Sequence, residues 1–401
     1  MKEAYIIDGL RTAFGKFRGG LSSVRTDDLL AHVLKHLVER NNKIPLEAYE
    51  DVIIGCANQA GEDNRNIARM ALLLAGLPWS VPGETINRLC ASGMSSIIQA
   101  NRAIKTGDAD LIISGGLEHM TRGPLAMSKS SRPFGGDVNV YDTSFGWRFI
   151  NPRMEEMYGT EAMGNTAENL VDMYDISRED QDLFAYRSQM KASASQKNGR
   201  LSEEIIPISI PRRKQEPLIF DEDEFIRHDT SIEALSGLRP AFKKNGTVTA
   251  GNASGLNDGA AAVIVASEKA VSQYGLEPMA RIVSSGVVGV EPRIMGIGPV
   301  GASEKALKRA GLSLDDMGVI ELNEAFAGQS LACTRKMGLK DDDPRVNPNG
   351  GAIAIGHPLG ASGTRITYSL ALEMKHKNCR YGLATMCIGV GQGYAVILEK
   401  V

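Results

Sequence analysis

The chain is poor in cysteine. It has five in 401 residues, at 56, 90, 333, 379 and 387, and no two form a Cys-x-x-Cys pair. An odd, scattered set supports neither a disulfide framework nor a zinc site, and it suits a reducing compartment. Aromatic residues are also scarce, at 5% with two tryptophans, and the net charge is only −3. Neither a basic field nor a row of stacking rings is available, so no nucleic-acid partner is expected. No apolar run approaches the ~18 residues of a membrane span, so no membrane partner is expected either. The opening residues, Met1-Lys-Glu-Ala-Tyr-Ile-Ile-Asp8, enter a strand pattern at once. That leaves no room for a secretion signal, and the cytoplasm is the expected compartment. What remains is an ordinary composition, 43% hydrophobic and 23% charged, on a chain long enough for two or three lobes.

Short buried strands are predicted at residues 4–8, Val52-Ile-Ile-Gly-Cys56, Leu111-Ile-Ile-Ser-Gly-Gly116 and Ala260-Ala-Ala-Val-Ile-Val265. Helical spacing runs from about Asp27, with Thr26 as N-cap, and from Asn64 to Ala75. A third helix carries Met94, Ile97, Ile98 and Ile104 on one face and stops at Gly107. Alternating strands and helices at this spacing predict a layered α/β fold. Between residues 120 and 248 the texture turns irregular, apart from a helix opened by Ser177-Arg-Glu-Asp180. This block reads as an insertion over the α/β core. The last third then repeats the first. Ala280-Arg-Ile-Val-Ser matches the opening strand, Val319-Ile-Glu-Leu-Asn323 matches Val52 to Cys56, and Ala91-Ser-Gly93 recurs as Ala361-Ser-Gly363. The expected organisation is a first half over 1–119, a loop domain over 120–248, a return strand of the first half over 249–270, and a second half over 271–401.

Cys90 lies where an extended segment becomes a helix, and the helix N-terminus there is expected to favour thiolate over thiol. Alone it reads as well as a small buried hydrophobe. Three C-terminal stretches change the balance: Asn323-Glu-Ala-Phe326 after a strand, Gly356-His357-Pro358 in a stiff turn, and Cys387-Ile-Gly389-Val-Gly391 after another strand. A nucleophilic cysteine needs a base, a reacting carbonyl needs N–H donors such as glycine turns offer, and a second cysteine can share the proton traffic.

Together with Asn87-Arg-Leu-Cys-Ala-Ser-Gly93 and Gly251-Asn-Ala-Ser-Gly-Leu-Asn-Asp-Gly259, these stretches resemble the thiolase family over essentially the whole chain. The resemblance implies two pseudo-repeated five-layered α-β-α-β-α halves with an inserted loop domain, assembled as a homodimer or homotetramer. It implies an acyltransferase acting on acyl-CoA and coenzyme A, with coenzyme A as substrate, no tightly bound cofactor and no metal. Residue by residue, Cys90 is the acylated nucleophile, His357 its base and Cys387 the α-carbon acid–base. Asn323 holds a water of one oxyanion hole, and the N–H groups of Cys90 and Gly389 form the other. Ser254 and Arg227 look like coenzyme A contacts, and Met163, Phe242, Ala325 and Phe326 like further substrate or coenzyme A contacts.

Within the family, Gly55 to Arg65, Asp142 to Phe149, Val290 to Pro299 and the valine in Cys387 to Gly391 are similar to 3-oxoadipyl-CoA thiolases of aromatic-compound degradation. Leu238-Arg-Pro-Ala-Phe242 fits acetoacetyl-CoA thiolases equally. Those usually carry histidine where this chain has Ala162. A 3-oxoadipyl tail ends in a carboxylate, and Arg148 is the candidate cation for it. The alternatives are an acetoacetyl-CoA or fatty-acid β-oxidation thiolase, a decarboxylating ketosynthase, and a non-catalytic lipid- or acyl-CoA-binding relative.

Overall fold

The computed structural model describes residues 2–401, so Met1 of the opening segment lies outside it. One strand–helix series is built twice. The first half runs β1 (Ala4–Thr12), α1 (Thr26–Arg40), β2 (Asp51–Gly55), α2 (Ile67–Leu74), α3 (Ser92–Thr106) and β3 (Leu111–His119). A long excursion follows, containing α4 (Met163–Tyr174) and α5 (Arg178–Lys197), before β4 (Asn257–Ser267) completes the half. The second half runs β5 (Ala280–Gly289), α6 (Gly298–Ala310), β6 (Met317–Leu322), α7 (Ala327–Lys336), α8 (Leu359–His376), β7 (Tyr381–Ile388) and β8 (Gln392–Lys400).

A single sheet joins the halves in the order β6-β7-β8-β5-β1-β4-β3-β2, with Glu84–Ile86 beyond β2. Read outward from its centre, the order is the same in both directions. β2 with β3 and β6 with β7 are parallel, while β3 with β4 and β7 with β8 are antiparallel. At the centre β1 and β5 pair through Tyr5↔Arg281 and Ile6↔Ala280. The repeat read from element order is therefore a property of the whole strand order.

Side chains alternate across each strand, so each arm of the sheet has two apolar faces. On β4, Ile264 faces an outer core with Leu30, Leu34 and Leu37 of α1, while Val263 and Val265 face inward. The inner core holds Met94, Ile97 and Ile98 of α3 with Ile366 and Leu370 of α8, shared by strands of both arms. A second outer core sets Ala302 and Ala306 of α6 against Ile320, Leu383 and Ile397. The α-β-α-β-α stack is thus made once, by both halves together, around one middle layer of α3 and α8. Truncating Ile97 or Ile366, both fully buried, should cost about 2–5 kcal/mol.

Two local differences have physical reasons. Thr26 is already helical and Arg25 is the N-cap, because the Glu62 carboxylate accepts the Thr26 N–H at 2.9 Å and replaces a side-chain cap. The 120–248 block is not confined to one side. Ile205–Ile206 pairs with β1, and Ile208, Ile210 and Phe220 complete the α1 core.

Candidate active site

The turn before α3 is held by side-chain bonds to backbone. Asn87 Nδ2 donates to Ala57 O at 2.9 Å, and Asn87 Oδ1 accepts the Leu89 N–H at 2.8 Å. Leu89 adopts φ +47°, a left-handed conformation strained for a leucine. Cys90 follows in the short 3-10 turn Leu89–Ala91 and is half-buried. Ser92 Oγ accepts the Arg88 N–H at 2.8 Å and donates to Leu89 O at 2.7 Å, which closes the turn.

The turn before α8 is built similarly around a histidine. Gly356 has φ +110° and lies against the Asn257 amide, where a Cβ would come within 2.7 Å of Asn257 Cγ. Asn257 Oδ1 accepts the His357 N–H at 2.8 Å. Ser362 Oγ stands 2.6 Å from His357 Nδ1 and 2.9 Å from Pro358 O. A hydroxyl has one proton. Both contacts are hydrogen bonds only if Ser362 donates to Pro358 O and accepts from Nδ1–H. His357 Nε2 is then the bare, proton-accepting nitrogen. Burial, with Arg365 nearby, lowers the imidazole to about 4, so it is neutral at pH 7.

The two turns meet because both helices begin with glycine at the contact. A Cβ on Gly93 would fall 2.5 Å from Gly360 O, and one on Gly363 would collide with Met94 N. The recurring Ala-Ser-Gly triplets thus pack backbone against backbone, which brings the N-termini of α3 and α8 together. The Gly389 N–H, after β7, lies near enough to the Cys90 sulfur to favour its thiolate form. Burial nevertheless raises the Cys90 thiol to about 11, with the Gly389 and Cys90 N–H groups pulling the other way. The expectation of a thiolate favoured by the helix terminus is corrected here: desolvation outweighs the terminus, and the resting form is the thiol. Cys387 is buried, and burial and the neighbouring Cys90 push its thiol well above the ordinary range. Asn323, fully buried, brings Nδ2 within 3.5 Å of His357 Nε2.

Met163, Ala325, Phe326 and Cys387 share one apolar cluster with Met295. Phe242 meets the Phe326 ring edge-on at 6.2 Å between centroids. Ser254 N and Oγ both donate to Ala325 O, at 3.0 and 3.1 Å. Arg227 is exposed and lies over the Phe225 ring, which packs on Gly255 beside Ser254. Arg148 stands apart from this cluster. Its guanidinium donates to Asn58 Oδ1 at 2.9 Å, and no acidic side chain pairs with it among the described residues.

Sequence reasoning missed Ser362, Asn257 and Glu118. The recurring triplet contains Ser362, so the sequence does carry a signal for it. Asn257 lies within the Gly251–Gly259 stretch already singled out, whereas Glu118 acts through backbone groups distant in sequence, and no local pattern marks it. Cys56, Asp63 and Glu118 bring ligand-type atoms within 4.8 Å of one another. Their carboxylates already accept N–H bonds from Ala57, Asn58, Gln59, Gly61 and Gly360, so the donor set does not fit a metal ion.

Two thiols, a neutral imidazole and nearby N–H groups are the kinds of group that acyl transfer requires. Family models described as "Thiolase, N-terminal domain" and "Thiolase, C-terminal domain" match residues 4–269 and 276–400. The chain belongs to the thiolase family. It is an acyltransferase, and its homologues use coenzyme A thioesters. This thiolase is 55% identical, over the full length of both chains, to a beta-ketoadipyl-CoA thiolase of Acinetobacter baylyi. It is equally similar, at 55% over both full lengths, to the 3-oxoadipyl-CoA/3-oxo-5,6-dehydrosuberyl-CoA thiolase of Escherichia coli. An acetyl-CoA acetyltransferase of Chromobacterium violaceum is 46% identical, covering 99% of this chain and 100% of that one. The solved human mitochondrial 3-ketoacyl-CoA thiolase superposes with a TM-score of 0.92 at 40% identity, over 100% of this chain and 99% of its own. Among the described residues no helix is long and apolar enough to cross a membrane.

Proposed function

We propose that this thiolase cleaves 3-oxoadipyl-CoA with coenzyme A, giving succinyl-CoA and acetyl-CoA, and that the reverse reaction is a Claisen condensation. The observation that carries the substrate is the full-length identity of 55% to relatives bearing that name, against 46% to an acetyl-CoA acetyltransferase. Cys90 Sγ attacks the 3-keto carbon while its proton passes to His357 Nε2. With the thiol at about 11 and the imidazole at about 4, a free ion pair is disfavoured, so the proton moves as the carbon–sulfur bond forms. The new alkoxide is bonded to the carbon on Sγ, beside the N–H groups of Gly389 and Cys90, which stabilise it. Cleavage of the C2–C3 bond leaves succinyl-Cys90 and the acetyl-CoA enolate. The enolate oxygen is held by His357 and a water on Asn323, and Cys387 gives its proton to the α-carbon. The Cys387 thiolate then takes the proton of incoming coenzyme A, whose sulfur attacks the Cys90 thioester; succinyl-CoA is released as the C–Sγ bond breaks, and the Cys90 sulfur takes back its proton from His357 Nε2. No electrons are exchanged, so the reaction calls for no redox cofactor.

Ser254 and Arg227 receive the pantetheine arm and the nucleotide end, and the working form is a homodimer or homotetramer. Arg148 meets the terminal carboxylate, a reading supported by its lack of an acidic partner. The test is a thiolysis panel of acetoacetyl-CoA, 3-oxohexanoyl-CoA and 3-oxoadipyl-CoA on the parent and Arg148→Ala. The parent should prefer 3-oxoadipyl-CoA. The variant should lose about 1.5–3 kcal/mol in kcat/KM for that substrate and little for 3-oxohexanoyl-CoA. Equal losses on both would make Arg148 a loop anchor.

A further inference from the structure

Outside the residues that touch substrate in the proposed reaction, one buried carboxylate joins the parts of the site. Glu118 ends β3 and is 2% exposed. Its Oε1 accepts the Asn58 N–H at 3.0 Å, and its Oε2 accepts the N–H groups of Ala57 and Gly360, both at 3.0 Å. Gly360 lies in the first turn of α8, three residues after His357. Ala57 is bonded to Asn87 through its carbonyl, and Asn87 is bonded to the N–H of Leu89, the strained residue before Cys90. Asn58, on the other oxygen, carries Arg148.

We infer that Glu118 is a positioning residue, a clamp whose two oxygens fix the Cys90 turn, the His357 turn and the Arg148 loop relative to one another. The inference rests on the reading that Cys90 and His357 perform acyl transfer. The closeness of the parts supports a clamp over a local cap. Gly360 packs so tightly that a Cβ there would fall 2.8 Å from Gly55 O, at the end of β2. Gly360 O is also the atom that a Cβ on Gly93 of α3 would meet at 2.5 Å, so the Glu118 bridge holds α8 at its contact with α3. The groups facing Glu118 are Cys56 and Asp63; burial, with Asp63 nearby, raises its carboxyl to about 7, so it is mostly charged at pH 8, where that charge adds a minor opposition to a Cys90 thiolate. Glu118 thus restrains the free thiolate while holding the base that removes the proton during attack.

The test compares the parent with Glu118→Gln and Asn87→Ala. The amide in Glu118→Gln turns one acceptor of N–H groups into a donor. Asn87→Ala cuts the link on the Cys90 side at an exposed position, so it decides the matter even if Glu118→Gln does not fold. Two rates are read: single-turnover acetylation of Cys90 by acetyl-CoA, and alkylation of Cys90 by iodoacetamide at pH 8. The clamp predicts acetylation at least about 30-fold slower in Glu118→Gln and at least about fivefold slower in Asn87→Ala, amounts within reach of a small misplacement of reacting groups. Alkylation, which needs no His357, should stay level in Asn87→Ala and rise in Glu118→Gln, where the opposing charge is gone. Acetylation within threefold of the parent in Asn87→Ala, or both rates falling in step, would overturn the inference. A parent that is not acetylated at all would remove the underlying reading, and the clamp with it.

Discussion

The turns carrying Cys90 and His357 are each followed by an Ala-Ser-Gly triplet, yet the two serines do different work. Ser92 bonds backbone on both sides, the Arg88 N–H and the Leu89 carbonyl, and so holds a turn whose reactive side chain stays half-exposed. Ser362 bonds one carbonyl and the His357 ring, and so fixes a tautomer in a buried site. The nucleophile must be reached by substrate, so its turn is stiffened from behind. The base needs one nitrogen protonated and the other bare, so its serine bonds the ring. In the proposed reaction the two triplets thus serve accessibility in one half and proton direction in the other.

The comparison breaks most completely at the base. His357→Asn removes the proton acceptor and should lower turnover by about 10^3-fold or more, with parent-like thermal unfolding; a loss under tenfold would leave Cys90 activated by another group. The burial behind this role has a pH signature. With its imidazole lowered to about 4, the His357 ring should stay neutral in an NMR titration from pH 6.5 down to about 5. Across that window the unfolded chain binds a proton that the folded one refuses, so folding stability should fall as pH falls from 6.5 toward 4. Next in size is Cys387→Ser, which should cut thiolysis about 10^2-fold or more while Cys90 is still acylated by acetyl-CoA within about tenfold of the parent rate. Thiolysis within a few-fold of the parent would make Cys387 a packing residue. The serine pair sharpens the comparison most finely. Ser362→Ala leaves the imidazolium without its acceptor and should cost about 1.5–3 kcal/mol in the acylation barrier, roughly 10- to 150-fold. Ser92→Ala should instead cost about 1–2 kcal/mol of folding stability, with a smaller kinetic effect. Equal kinetic losses in both would erase the distinction.

Much of this was legible in the sequence. The strands at Val52, Leu111 and Ala260 appear in place because a buried strand is a short apolar run whatever its partners. Cys90, Asn323, His357 and Cys387 stood out because glycine, proline and asparagine around them mark turns. Long-range electrostatics were not legible. Cys90 looked like a thiolate from its helix terminus, but burial reverses this, and the core it packs against includes Ile366, Met386 and Ile388, hundreds of positions away. Glu118 was silent for the same reason, since its three donors belong to residues 57, 58 and 360. The sharing of one middle layer also depends on α3 and α8 meeting, a contact that the two triplets make but do not announce.

The central claim is that Cys90, resting as a thiol until His357 takes its proton, is the residue that carries the acyl group. Incubating the protein with acetyl-CoA, digesting it and measuring peptide masses tests this directly. The acetyl group should be found on the peptide containing Cys90 and should disappear from it on adding coenzyme A. Label confined to Cys56, Cys333 or Cys379, or a Cys90 peptide that stays unmodified, would contradict the account.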